Sequence, residues 1–328
     1  MIPTLAADAR LRECLEALAR QTRHDFEVIV VDNSGQGLAR RNGLSPGVRV
    51  IENTNNAGYG IAINQGLHAS TAPFIASLND DAVPHPSWLD ALVRALELRP
   101  DAGMCASQVR LFGEERLDSA GMLVARDGSS KQRGHGRMPD AFPVAEETLF
   151  PSGSAALYRR TMLDEIGGFD EHFFLYCEDT DLGLRARWAG WKCLYVPDAV
   201  VEHHYSHSAG RASPVKAYFV ERNRLFVVAK NFPVRMLLAA PFSTVARYLW
   251  HAWYLVQGRG SAARFRAEGH AGPKMLWYVL RAHAALFGNI PRLLRQRRQI
   301  RDTARITPAI FAHLIASHSI SSRRVAAL

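Results

Sequence analysis

Two short acidic stretches carry the residue types best suited to chemistry in this chain. In "FIASLNDDAVP" (residues 74–84) five mostly apolar residues run into Asn79, Asp80 and Asp81. Adjacent carboxylates repel each other, and a helix start needs only one to cap its N–H groups. A divalent cation that also bridges phosphate oxygens would offset the repulsion, which makes the pair a candidate cation site. In "CEDTDLGLRARWAG" (177–190) Glu178, Asp179 and Asp181 put three carboxylates within four residues, again more than capping requires. Crowded carboxylates raise one another's pKa, which suits a general base.

Three further stretches have a plain and a chemical reading. "VEHHYSH" (201–207) supplies His203, His204 and His207 at a spacing that is not a zinc pattern. Each could be a satisfied core or surface histidine, but His203 directly follows a short strand that would fix its direction. "VVDNSGQG" (30–37) sets Asp32 and Asn33 at a strand end before a Gly-rich turn. They read either as a turn-forming Asx pair or as groups that recognise a base or ribose. "NNAGYGIAINQG" (55–66) lacks the full glycine spacing and the later acid of a dinucleotide fingerprint, which argues against a dehydrogenase.

The elements that must position these residues alternate along the chain. Leu11, Leu15 and Leu18 fall at helical spacing, and residues 26–32 form a continuous apolar run of the kind buried on both sheet faces. Strands are expected at 48–53 and 74–78, and a helix at 86–98 with Pro86 in its first turn. Residues 114–151 read as an irregular excursion. Beyond it a helix is expected at 180–188 and short strands at 191–196 and 199–202. This alternation predicts an α/β fold with a mostly parallel sheet flanked by helices, and ligands at the carboxyl ends of its strands.

The charge is divided unevenly. Residues 1–210 hold 20 Lys/Arg against 28 Asp/Glu, a balance of −8, whereas residues 211–328 hold 20 against 3, a balance of +17. An acidic body thus carries a basic tail, which points to an anionic membrane surface or nucleic acid. Nearly half of the 328 residues are hydrophobic, enough for a sizeable core. The four scattered cysteines and the absence of a visible secretory signal predict a reducing cytoplasm without a disulfide framework. Residues 236–258 are long enough for a membrane span, but Arg247 at their centre, with Pro241 and His251, favours helices lying in the interface. The Arg-rich "RLLRQRRQIR" (292–301) supports that expectation.

Taken in order, the motifs resemble the family 2 glycosyltransferases of GT-A fold, in particular their bacterial rhamnosyltransferase-like branch. The matching stretches are "MIPT" (1–4), "VIVVDNS" (28–34), "NAGYGIAINQG" (56–66), "LNDDAVP" (78–84), "GGFDEHFFLYCEDTDLGLRARWAGW" (167–191), "VPDAVVEHH" (196–204) and "ERNRLFVVAKN" (221–231). Their order and intervals, rather than any single motif, make the resemblance specific. It implies a nucleotide-sugar site from Thr4, Asp32, Asn33, Asn56, Gly58, Asn64 and Asp80. It implies a Mg2+ or Mn2+ ion on Asp81 and His203, with Asn79 standing where the family's metal-binding motif has its first carboxylate. Asp179 is similar to the family's catalytic base, and Gly153, Ser154 and Glu178 would lie near the acceptor. The donor would be a dTDP- or UDP-sugar, and the acceptor a glycan or lipid-linked molecule in cell-surface polysaccharide synthesis.

The resemblance further implies a catalytic domain at 1–210 and a basic, amphipathic helical region at 211–328. That region would hold the protein on the cytoplasmic face of the inner membrane. The family has a full strand before "IPT", so either the start is set too late or the first strand is shortened here. Two rival classes fit less well. A sugar-phosphate nucleotidyltransferase would need a Gly-rich, Arg/Lys-bearing loop after the first strand. A non-enzymatic membrane- or RNA-binding protein would leave the ordered acidic motifs unexplained and lacks the aromatics of an RNA module, so no nucleic-acid partner is expected.

Overall fold

Three parallel strands, β1 (Ile2–Thr4), β2 (Val28–Asp32) and β3 (Val48–Glu52), pair in sequence order, with Thr4 beside Asp32 and Asp32 beside Glu52. The apolar run of β2 is buried from Ile29 onward, as a strand covered on both faces must be. The structure, a computed structural model, describes residues 1–5, 9–44, 47–204, 214–267, 269 and 273–328. Two compact units divide the chain. The first holds Met1–Met122, Gln132–Phe174 and Trp191–Tyr205; the second holds Leu123–Lys131, Leu175–Gly190 and Ser206–Leu328. The segments at 123–131 and 175–190 therefore group with the C-terminal helices.

The remaining strands are β4 (Phe74–Leu78), β5 (Ala82–Pro84), β6 (Ala102–Leu111), β7 (Leu117–Ser119), β8 (Met122–Val124), β9 (Ser130–Gln132), β10 (Glu146–Thr148), β11 (Ala155–Arg159) and β12 (Lys192–His203). All but β8 and β9 form a seven-stranded sheet with the core order β10-β12-β6-β11-β4. This sheet corrects the expectation of mostly parallel pairing: only β6 and β12 run parallel, and β11 inserts antiparallel between β4 and β6. The α/β character holds, but the fold is mixed. The two strands expected at 191–202 are one, with register shifts that include the step from Val196 to Val200. The first strand is short, and the main chain of Met1 bonds to β4 through Ala76 O and Leu78 N.

Among its described residues this unit also holds the α-helices α1 (Arg10–Ala19), α2 (Leu38–Arg41), α3 (Tyr59–Ala69), α4 (Trp88–Leu98) and α5 (Arg160–Ile166). Leu11, Leu15 and Leu18 of α1 and Leu89, Leu92, Val93 and Leu96 of α4 bury the faces their spacing predicted, in one cluster with Leu78, Cys105, Val109 and Leu157.

The second unit is helical: α6 (Glu178–Trp188), α7 (Pro214–Asn231), α8 (Val234–Val256), α9 (Gly260–Ala267), α10 (Pro273–Asp302), α11 (Pro308–Ser317) and α12 (Ser322–Ala327). Helix α6 is buried nearly all round, charges included. Asp181 is its hub, accepting from Lys230 Nζ at 2.9 Å, Asn231 Nδ2 at 3.0 Å and Arg185 Nε at 2.9 Å. Trp188 stacks on Phe311 at 4.1 Å and lies 3.4 Å from the Arg301 guanidinium.

Arg247, the residue that argued against a span, is buried. Its guanidinium bonds Asp127 Oδ2 at 2.5 Å and Glu221 Oε2 at 2.9 Å. Glu221 also binds Arg224 and Tyr248. Among the described residues no helix is long and apolar enough to cross a membrane.

Candidate active site

In the first unit, hydrogen bonds draw most of the expected residues together at the carboxyl ends of β1, β2 and β4. The Thr4 hydroxyl donates to Asp80 Oδ2 at 2.5 Å, and Asn79 N donates to Ser154 O at 2.9 Å. The Tyr59 hydroxyl donates to Gly153 O at 2.5 Å. Asp81 leads into β5, whose antiparallel pairing with β12 sets Ala82 opposite His203. The amide of His204 closes this ladder on Asp81 O at 3.1 Å. Two rigid strand ends therefore aim the Asp81 carboxylate at the His203 ring, with Oδ1 3.2 Å from Nε2.

Behind the ring stands Asp118, a residue that sequence reasoning missed. Its Oδ2 accepts from His203 Nδ1 at 2.9 Å, and its Oδ1 lies 3.3 Å from His135 Nδ1. Asp81, His203 and Asp118 are all buried. Burial disfavours the imidazolium of His203, but hydrogen bonds and charge from Asp118 and Asp81 outweigh it and push the ring up to about 10. Burial likewise works to raise both carboxyls, yet the histidines hold Asp81 and Asp118 below the ordinary carboxylate value.

This donor set suits a divalent cation. His203 Nε2 and Asp81 Oδ1 face each other at 3.2 Å, so a cation held by both would replace the Nε2 proton, and Asp118 would fix the ring from behind as carboxylate–histidine pairs do at metal sites. Among the described residues no group of three or more His, Cys, Asp or Glu side chains is arranged to hold a metal. The other coordination positions would thus fall to phosphate oxygens and water. Asn79 Nδ2 lies 3.3 Å from His203 Nε2, against the edge of the ring.

The expected nucleotide-side residues divide. Asp32 is buried with Oδ1 on Ser34 N and Oδ2 on Ala39 N, both at 2.8 Å, so its carboxylate shapes the turn after β2. Asn33 donates to Gly58 O at 3.3 Å and accepts from Asn53 Nδ2 at 2.7 Å. Asn56 Oδ1 accepts from Gly58 N at 3.0 Å, forming the turn that opens α3. Asn64, expected beside the nucleotide, is buried and clamps the chain at Phe169. Its side chain donates to Phe169 O and accepts from Phe169 N, both at 2.9 Å.

In the second unit Glu178 and Asp179 open α6 after a strained approach. Tyr176 and Cys177 have φ of 70° and 65°, costly for residues with side chains and characteristic of functional loops. Asn223, another residue missed from sequence, secures that approach by donating to Leu175 O at 2.8 Å and Tyr176 O at 2.7 Å. Asp179 is half-buried and receives the Thr180 amide at 2.6 Å, while the Thr180 hydroxyl lies 2.9 Å from Ser130 Oγ. Glu178 is buried, and its Oε2 has no hydrogen-bond partner among the described residues. Burial first, and the neighbouring Asp179 charge second, push it up to about 8. Of the histidines, His204 stacks on Phe112 and bonds Glu13 at 3.0 Å, and His207 lies outside the described residues.

Comparison with known proteins gives one consistent picture. Residues 1–226 match the family described as "Glycosyltransferase like family 2". The chain is 32% identical over 233 residues to the N-acetylglucosaminyl-diphospho-decaprenol L-rhamnosyltransferase of Mycobacterium tuberculosis strain H37Rv, covering 63% of this chain and 76% of that protein. Among solved structures it resembles GalNAc-T7 with UDP, GalNAc and Mn2+, with a TM-score of 0.58, 14% identity, and coverage of 88% of this chain and 57% of that one. It also resembles the mannosyltransferase PcManGT from Pyrobaculum calidifontis in complex with GDP-Man and Mn2+, with a TM-score of 0.51, 18% identity, and coverage of 92% and 84%. These two structural likenesses establish the fold, a GT-A-like mixed sheet with helices and a C-terminal helical region.

Proposed function

The chain belongs to glycosyltransferase family 2 and is an enzyme of that class, and from this premise we propose an inverting, cation-dependent transfer of a sugar from a nucleotide-sugar donor. The observation that carries the reading is the buried Asp81–His203 pair, aimed by two strand ends and braced by Asp118. Asp81 and His203 would hold Mg2+ or Mn2+, which supplies positive charge for the departing nucleoside diphosphate. Thr4 and Asp80, bonded to each other, and the Asn33–Gly58–Asn56 turn would position the donor. Asp179 takes the proton from the acceptor hydroxyl, which attacks the far face of the anomeric carbon. The C–O bond to the diphosphate breaks as the new one forms, so a single displacement inverts the configuration. Gly153, Ser154 and Glu178 would contribute to the acceptor side.

The donor class is a dTDP- or UDP-sugar, with rhamnose the first sugar to try, because the mycobacterial relative is named an L-rhamnosyltransferase. The same name contains a diphospho-decaprenol, which supports a lipid-linked or glycan acceptor in cell-surface polysaccharide synthesis. An acceptor of that kind and the basic residues of 211–328 support a location at the cytoplasmic face of the inner membrane. The test is incubation with a panel of dTDP-, UDP- and GDP-sugars and Mg2+ or Mn2+, measuring nucleoside diphosphate release. Release that requires the cation supports the reading. Pyrophosphate release would favour a nucleotidyltransferase, and no turnover with any donor would overturn it.

A further inference from the structure

Helix α8 is built with its polarity reversed. Of its 23 residues only Arg235 and Arg247 are Lys, Arg, Asp or Glu, and Arg247 points inward to Asp127 and Glu221. Ala240 and Thr244 are buried on the same face as Arg247. The opposite face presents Leu238, Phe242, Val245, Leu249, Trp253 and Val256 to solvent, from 56% exposed at Trp253 to 86% at Val256. Their steps of three or four residues make one continuous stripe, about 27 Å long at 1.5 Å per residue. A helix at a water-facing surface carries its apolar residues inward and its charges outward. Here a charged side chain is spent on the interior while the outer face has no charge between Arg235 and Arg259, both exposed at its ends.

We propose that α8 docks on an anionic lipid bilayer, lying in its plane with this stripe submerged among the acyl chains and Arg235 and Arg259 at the headgroups. Charge decides the occupant. Residues 211–328 carry a balance of +17, which an anionic surface attracts. A second copy meeting the stripe through a twofold contact would set two such regions against each other. An exposed apolar patch of this size needs a partner, and a bilayer is the one that also rewards the surrounding arginines. The inference specifies how the proposed membrane association is made: apolar insertion holds the protein, and charge steers it.

The test uses the full chain and vesicles of phosphatidylcholine alone or mixed with phosphatidylglycerol. The double variant Phe242→Asp/Leu249→Asp changes two solvent-exposed side chains, so its fold is checked by circular dichroism and thermal melting. The parent is expected to sediment with the anionic vesicles, and the variant to lose at least tenfold in partitioning while retaining nucleoside diphosphate release. Equal sedimentation of parent and variant would overturn the proposal in favour of charge alone. Failure of the parent to bind anionic vesicles would overturn it outright. A parent dimer that the double variant converts to monomer would assign the stripe to a second copy. Because vesicle binding and nucleotide release are separate readouts, loss of the catalytic reading leaves this one standing, and the reverse.

Discussion

Asp118 Oδ2 lies 2.9 Å from His203 Nδ1, on the side of the ring opposite Asp81, whose Oδ1 faces Nε2 at 3.2 Å. The imidazole is thus held between two buried carboxylates; in the proposed site Asp118 would orient it and Asp81 would share a cation with it. If that is its use, Asp118→Asn should weaken Mn2+ activation about 10- to 100-fold, the usual effect of losing a ligand's outer partner. The expected signature is a higher Mn2+ concentration at half-maximal nucleotide release with little change in the rate at saturating metal. An unchanged metal dependence would reduce Asp118 to a packing residue.

The two proposed chemical roles separate by substitution. Asp179→Asn should lower transfer by about 100- to 10,000-fold, the range for removing a general base. Nucleoside diphosphate binding, followed by calorimetry with Mn2+ present, should stay near the parent's. Asp81→Ala should do the opposite, weakening metal-dependent nucleotide binding first. Undiminished transfer in Asp179→Asn would take that residue out of its role.

Glu178 gives a pH prediction with a definite sign. Its folded-state pKa of about 8 lies above the ordinary 4.5, so the folded protein keeps a proton that the unfolded chain releases. The stability this contributes is full below about 4.5, is lost as pH rises through the window to about 8, and is level beyond. The parent's melting temperature should therefore fall between pH 5 and 8. In Glu178→Gln that share of the slope should vanish, because the amide does not titrate. Thermal melts of both proteins at pH 5, 6.5 and 8.5 check it; parallel slopes would contradict the buried-acid account.

What the sequence made legible follows from how local each signal is. Asp81 and His203 were visible because each adjoins a strand end, and Glu178 and Asp179 because they crowd a helix start. Asp118 was not, because it lies in a stretch that read as irregular. Its placement depends on the pairing of β7 with β6, Val109 opposite Ser119, and no local pattern announces that. The mixed sheet was missed for the same reason: the direction of β11 is set by its neighbours β4 and β6. Conversely, the third acid of the 178–181 cluster looked chemical in sequence but is structural, since Lys230, Asn231 and Arg185 all converge on Asp181. Those partners lie 4 to 50 residues away.

Gly58 offers the sharpest stability test near the proposed donor site. Its backbone sits at φ 91° and ψ 168°, a region that residues with a Cβ avoid, at a cost of about 1–3 kcal/mol. An added Cβ would also come within 2.5 Å of the Phe174 carbonyl oxygen, which already accepts the Tyr59 amide at 2.8 Å. Neither the carbonyl nor the Asn33 and Asn56 contacts to Gly58 can move without disturbing the turn that opens α3. Gly58→Ala should therefore destabilise the protein by roughly 2 kcal/mol or more on strain and clash together. It should also raise the donor KM more than it lowers kcat, because in the proposed site the turn would position the donor and take no part in proton transfer. Chemical denaturation and donor-dependent kinetics on the same variant check both halves. An alanine variant of parental stability would mean that this turn relaxes at little cost and does not hold the donor site in place.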